Sequence, residues 1–267
     1  MAGSFPLVKG TRARFTKVNG CGMPVAGPRN RLVTAGYVSL GLTAVMRDAT
    51  DLTQDNAEGK ECVSDRTEPE RRWYTPALEL CQVDPEVVTM FTGWETILDA
   101  QGEVVGFQDD KKIESDYGIA MELWTSGKSA DDCAELPESD AILTAPGSGR
   151  KYGYFLFAGT EWVPGDITIA ASVATLTLTG RTIALPHWGK GPYNVQAKAD
   201  GTPGRLLTPM NKTAHLRVFR TEVAPPEVTD GAVALATSTV FTGVNYYYGG
   251  PADEAPIATA PAQPLAA

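Results

Sequence analysis

The 267-residue sequence predicts an all-β fold, a sandwich or barrel with one short flanking α-helix over about residues 84–92 and long inter-strand loops. Three observations predict it. Glycine (27) and proline (19) are abundant enough for many turns and short strands. Stretch after stretch alternates polar and apolar at period two, the pattern of a half-buried strand. One segment alone carries the start and stop signals of a helix.

Arg12 to Val18 alternates and meets the turn pair Asn19-Gly20. Leu32 to Met46 continues the pattern with Val33, Tyr37, Val38, Leu40, Leu42 and Val45. Trp73 to Val83 reads as a strand in which Pro76, having no N–H, implies an edge or a bulge. The helix follows. Asp84 is the N-cap, Pro85 stands at the first helical position, and Glu86 complements the dipole. Val87 and Phe91 share a face, and Gly93 is the stop. Ile97-Leu98 and Val104-Val105 flank the hairpin connection Asp99 to Glu103. Tyr117 to Thr125 and Lys151 to Ala158 are aromatic-rich strands; Ser172 to Thr179 and Ala214 to Phe219 alternate cleanly. Gly231 to Val244 holds one further strand, followed by the aromatic run Tyr246-Tyr247-Tyr248.

Two regions depart from this pattern. Residues 47–72 are polar and charged, and read as a long loop between strands; such loops usually carry function. Residues 251–267 are a Pro/Ala-rich arm that cannot supply a core. The charged loop thus lies inside the β region, and the Pro/Ala-rich arm follows it.

Charge is unevenly distributed. The net is −9, which argues against gripping nucleic acid through a general basic surface. Residues 1–31 hold Lys9, Arg12, Arg14, Lys17, Arg29 and Arg31 with no acid, whereas residues 95–140 hold thirteen acids against three lysines. The sequence allows either ordinary solvated faces or complementarity between copies of the chain.

Catalytic signatures are missing from the sequence. Neither histidine, His187 nor His215, has a recognisable partner motif, and no nucleophile elbow, zincin or phosphate-loop sequence occurs. Gly147-Ser148-Gly149 lacks phosphate-loop spacing and reads as a turn. The cysteines, Cys21, Cys62, Cys81 and Cys133, are widely spaced. They read as reduced thiols, one or two of them packed as small hydrophobes, and not as a zinc site unless the fold gathers them. The expectation is a non-enzyme with no cofactor and no metal. The opening residues lack a signal-peptide core, and no apolar run approaches the length of about 20 that a membrane span needs. The sequence thus reads as a cytoplasmic product without a membrane partner.

Several segments together resemble the major tail proteins of long-tailed, siphovirus-type actinobacteriophages. They are residues 10–25 (GTRARFTKVNGCGMPV), 33–40 (VTAGYVSL), 81–93 (CQVDPEVVTMFTG), 97–107 (ILDAQGEVVGF) and 117–125 (YGIAMELWT). Residues 152–157 (YGYFLF), 165–182 (GDITIAASVATLTLTGRT), 188–195 (WGKGPYNV) and 206–226 (LLTPMNKTAHLRVFRTEVAPP) continue the series in the family's order. The likeness stops near Pro226, which implies a tail-tube β domain over 1–226, with the charged loop 47–72 inside it, and a C-terminal extension over 227–267.

The resemblance implies a structural subunit of the tail tube, assembled in the host bacterial cytoplasm and located in the virion tail. Its copies would form hexameric rings that stack into a hollow tube, through which viral DNA passes without specific binding. Tape measure, tail terminator and tail tip proteins would be its partners. The family's long loop at 47–72 leads to the expectation that Asp48, Asp51, Asp55, Glu58, Lys60, Asp65 and Arg66 contact the neighbouring ring. Tyr246, Tyr247 and Tyr248 are expected to anchor the C-terminal arm on a neighbouring subunit. Two other classes fit the composition. A monomeric β-sandwich module binding carbohydrate or another surface would use an aromatic platform such as Trp188 with Tyr193. A head decoration protein would bind shells and would not form tubes.

Overall fold

The computed structural model describes residues 9–81, 83–112, 116–126, 152–165, 175–185, 196–197, 203–204, 211–221 and 223–235. Within these the chain is mostly β, with one short helix. The strands are β1 (Gly10–Asn19), β2 (Gly27–Thr34), β3 (Tyr37–Arg47), β4 (Asp51–Asp55), β5 (Glu61–Arg66) and β6 (Glu70–Leu80). After helix α1 (Pro85–Thr92) come β7 (Glu95–Leu98), β8 (Val104–Gln108), β9 (Tyr117–Thr125), β10 (Tyr152–Pro164) and β11 (Leu176–Ile183). The remainder are β12 (Gln196–Ala197), β13 (Pro203–Gly204), β14 (Leu216–Thr221) and β15 (Val233–Leu235).

A nine-stranded antiparallel sheet dominates, in the order β15-β2-β1-β9-β10-β11-β6-β3, with β14 attached to β10. Strand β10 is the pivot. One side pairs with β9; the other pairs first with β14, over Tyr152–Phe157, and then with β11 from Ala158 onward. The ladder to β11 slips between Thr160 and Val163, where Glu161 takes a φ of 56°. An extra residue of this kind bends a strand and sharpens its twist.

The curled sheet encloses one core. Ala13 and Phe15 of β1, Leu32 of β2, and Ile119, Met121 and Leu123 of β9 meet Leu78, Leu80 and Leu178 from β6 and β11. Helix α1 closes this core through Val87 and Phe91. Phe91 meets Phe15 edge-on at 5.0 Å and Trp162 at 4.8 Å between ring centroids. The caps are those the sequence specifies. Asp84 accepts a hydrogen bond from the Glu86 N–H at 2.8 Å, and Gly93 adopts φ 77°, which costs glycine nothing.

A second apolar cluster lies on the opposite face of β9 and β10, around Val18, Ala120, Trp124, Tyr154, Leu156, Ala158 and Leu185. Both faces of β9 are thus covered. That is why Tyr117 to Thr125 is nearly continuously apolar and does not alternate.

Three features differ from expectation. The stretch 32–46 is two strands, broken at Ala35-Gly36, where the Gly36 N–H bonds to Thr34 Oγ1. The charged loop of 47–72 is an extended β ribbon, described below. The thiols of Cys21, Cys62 and Cys81 are free and exposed, not packed, because they sit in a turn, on the ribbon and at a strand end; Cys133 lies outside the described residues. Pro76 falls where β6 is hydrogen-bonded on one side only, since its ladder with β11 spans just Ala77–Leu80.

Residues 227–235 rejoin the sheet. Strand β15 pairs with β2 through Val233↔Arg31 and Leu235↔Gly27. The Thr229 N–H donates to Val33 O at 3.1 Å, and the Ala232 N–H donates to the Glu86 carboxylate, which also holds Arg29 at 3.1 Å.

Candidate functional site

The residues expected to form contacts between rings come together on one projecting arm. Strands β3 and β6 run antiparallel as far as Arg47↔Glu70, and β4 and β5 continue outward with Asp51↔Arg66 and Gln54↔Val63 in register. Thr50 and Thr67 bridge the two pairs of strands, with Thr50 N–H donating to Thr67 Oγ1 at 2.8 Å and Thr67 N–H to Thr50 O at 3.1 Å.

The tip is a turn written in Asn56 and Gly59. Asn56 Oδ1 accepts from the N–H groups of Glu58 and Lys60 at 2.9 and 3.0 Å, and Gly59 takes φ 72°. Every residue of β4 and β5 is exposed. No alternation is visible in the sequence because the arm has no buried face, so its strands had no apolar signature to read.

The expected contact residues pair only weakly with one another. Arg66 lies 3.3 Å from Asp51 and Lys60 lies 3.5 Å from Glu58. Exposed pairs of this kind contribute about 0–1 kcal/mol. Asp48, Asp55 and Asp65 make no ion pair among the described residues; an Asp65 oxygen accepts from the Arg66 N–H at 2.9 Å. Leu52 and Val63 project from the same face of the ribbon and are 53 % and 56 % exposed. The aromatic anchor Tyr246–Tyr248 and the platform residues Trp188 and Tyr193 lie outside the described residues, as does His187.

The two ends of the main sheet were not anticipated from sequence. β3, eleven residues long, pairs with β6 and has no other partner among the described residues. Val38 and Met46 on it are exposed. At the opposite end the β2 edge is covered, among the described residues, by the three-residue β15. A long unpaired edge is a template for another strand, and a three-residue cover protects only part of one.

Part of the basic N-terminal segment is satisfied within the chain. Arg14 is bound to Glu122, Arg29 to Glu86, and Lys17 stands 4.1 Å from the centre of the Tyr117 ring. The charge polarity of the sequence therefore partly folds into internal pairs.

A basic and aromatic patch marks the root of the arm. The β3–β6 register shifts between Val45↔Trp73 and Met46↔Arg71, so Arg72 is an extra, bulged residue. Arg72 stands 6.0 Å from the Trp73 ring centre, Arg181 stands 5.4 Å from the same ring, and Arg71 stands 4.8 Å from the Tyr74 ring. His215 adjoins this patch, its Nδ1 2.8 Å from Thr182 Oγ1. Burial first, then Arg71 and Arg181, hold its imidazole below the ordinary value of 6.5, with a hydrogen bond to the Thr182 backbone acting the other way.

Among the described residues no group of three or more His, Cys, Asp or Glu side chains is placed to hold a metal ion, and no helix is long and apolar enough to cross a membrane. The features with chemical reach are thus surfaces: the arm, the open edges and the basic patch. A scan against protein-family models matches none, and a search of the curated proteins returns no match.

Proposed function

We propose that this chain is a structural subunit of a phage tail tube, a self-assembling β protein of the virion tail and not an enzyme. The observation that carries the reading is the exposed arm continuing from an eleven-residue edge strand that is paired on one side only among the described residues. An isolated two-stranded ribbon is marginally stable in water, and a long open edge invites pairing. Both are resolved when further copies cover them. Edge-to-edge pairing by rotation closes a ring, and head-to-tail contact by translation stacks rings into a tube. The sequence resemblance supplies the hexameric ring and the partners: tape measure, tail terminator and tail tip proteins.

The net charge of −9 supports the transport side of this reading. A lumen without a basic lining releases few counterions from DNA and lets it slide. The test is negative-stain electron microscopy across a concentration series, with light scattering on the same samples. Hollow rings or tubes with six-fold top views are expected. Shell binding without tubes would favour a head decoration role, and a strict monomer that binds glycans would favour the carbohydrate module.

A further inference from the structure

We propose that the basic and aromatic patch at the arm root is the docking site for the acidic distal half of the arm on a second copy of this chain. The inference rests on the tube reading only in taking head-to-tail stacking as the mode of contact.

The arm is an electrically polar rod. Its distal half, residues 51–65, carries Asp51, Asp55, Glu58, Glu61 and Asp65 against Lys60 alone. Its root carries Arg47, Arg66, Arg71 and Arg72 against Asp48, Glu68 and Glu70, and Arg181 joins Arg72 in space across the Trp73 ring. Parallel copies shifted along such a rod meet acidic end to basic root, whereas copies in register set like charges side by side. From Arg47 to the Gly59 turn the arm reaches at most roughly 40 Å at the rise of an extended strand, which is the upper bound on the shift between docked copies.

The patch is built to receive carboxylates. The bulge at Arg72 turns consecutive arginines toward different aromatic rings, so both guanidiniums are held while exposed. Arg72 makes no ion pair among the described residues. Arg71 donates only to neutral oxygens there, Tyr74 Oη at 3.1 Å and Thr213 O at 3.3 Å. Arg181 is the partly engaged member, 3.3 Å from Glu161. Pre-positioned guanidiniums lose little freedom on forming two-pronged contacts with carboxylates. Nearby Leu52 and Val63 on the distal arm supply apolar surface for the ring of Trp73.

A charge swap in the full-length chain tests this. One variant carries Arg71→Glu with Arg72→Glu; a second carries Asp55→Lys, Glu58→Lys and Glu61→Lys; a third carries all five. Thermal unfolding identifies variants that fold as wild type. Sedimentation velocity measures self-association, and microscopy records its form. Each reversal alone should weaken association roughly tenfold or more, the equivalent of one lost charge pair, and the combined chain should regain it. Association should also weaken as salt shortens the screening length below about 8 Å. Singles that associate like wild type, or a folded combined variant no better than the singles, would overturn the docking. A wild-type chain that stays monomeric at every concentration would overturn it too. Assemblies that obey the swap yet are not hollow tubes would uphold the docking and remove the tube reading.

Discussion

Arg14 and Glu122 are direct cross-strand partners, and they meet as a two-pronged ion pair with distances of 2.5 and 2.6 Å. None of the Glu122 side chain is exposed. Its Oε1 also accepts the Tyr154 hydroxyl at 2.6 Å, and the Arg14 guanidinium stands 5.2 Å from the Trp124 ring centre. Burial, and then the Glu122 carboxylate, push the Tyr154 phenol well above its ordinary range. Glu122 sits in an otherwise apolar run and is the hub of the second cluster.

Removing the hub charge should therefore cost far more than removing one hydrogen bond. Glu122→Gln removes the buried carboxylate charge that faces both Arg14 and the Tyr154 hydroxyl, at about 3–5 kcal/mol. Tyr154→Phe should cost about 1–2 kcal/mol. Urea unfolding of both variants checks the ordering; equal losses would show that the pair does not act through charge.

Phe91 is the largest side chain that the helix places in the core, beside Val87 and Val88. Phe91→Ala should destabilise by about 3–5 kcal/mol, because it removes a buried side chain that meets both Phe15 and Trp162 edge-on. Gly93→Ala should cost about 1–2 kcal/mol through its positive φ. Calorimetry on the two variants separates packing from backbone conformation.

His215 makes stability depend on pH. Its folded pKa lies below the unfolded value of 6.5, so the unfolded chain binds the proton first as pH falls. Its contribution is unchanged above that value and turns unfavourable as pH drops through 6.5 toward the folded pKa. His215→Asn keeps a hydrogen-bonding atom for Thr182 and cannot titrate. The fall in melting temperature between about pH 7 and 5 should be shallower in this variant.

Two truncations should behave differently. A chain ending at Pro226 loses β15, the Thr229 bond to Val33 and the Ala232 bond to Glu86, and should melt at lower temperature. A chain ending at Leu235 keeps them and should melt at higher temperature than the chain ending at Pro226. Its assembly then reports on Tyr246–Tyr248 without disturbing the sheet; wild-type tube stability would remove the proposed anchor.

Deleting Asp51–Arg66 should abolish tubes while the remaining sheet unfolds as before, since all of β4 and β5 is exposed and contributes nothing to the core. Unchanged tubes after this deletion would end the arm's proposed role.

The sequence by itself determined those elements whose two faces differ in polarity or whose ends carry special residues. Alternation in Arg12–Val18 and the run Asp84 to Gly93 place β1 and α1 to within a residue or two, because burial on one face and capping are local properties. The arm defeated the same reading: solvated on every side, it left no alternation, and only Asn56 and Gly59 hint at its turn. The tertiary structure alone decided pairings across long separations. It brought Arg14 to Glu122, and it brought Arg181 to a tryptophan re-aimed by a one-residue bulge. Sequence carries no distance between such positions. Strand register sets that distance, and register follows from how the whole sheet curls to bury its core.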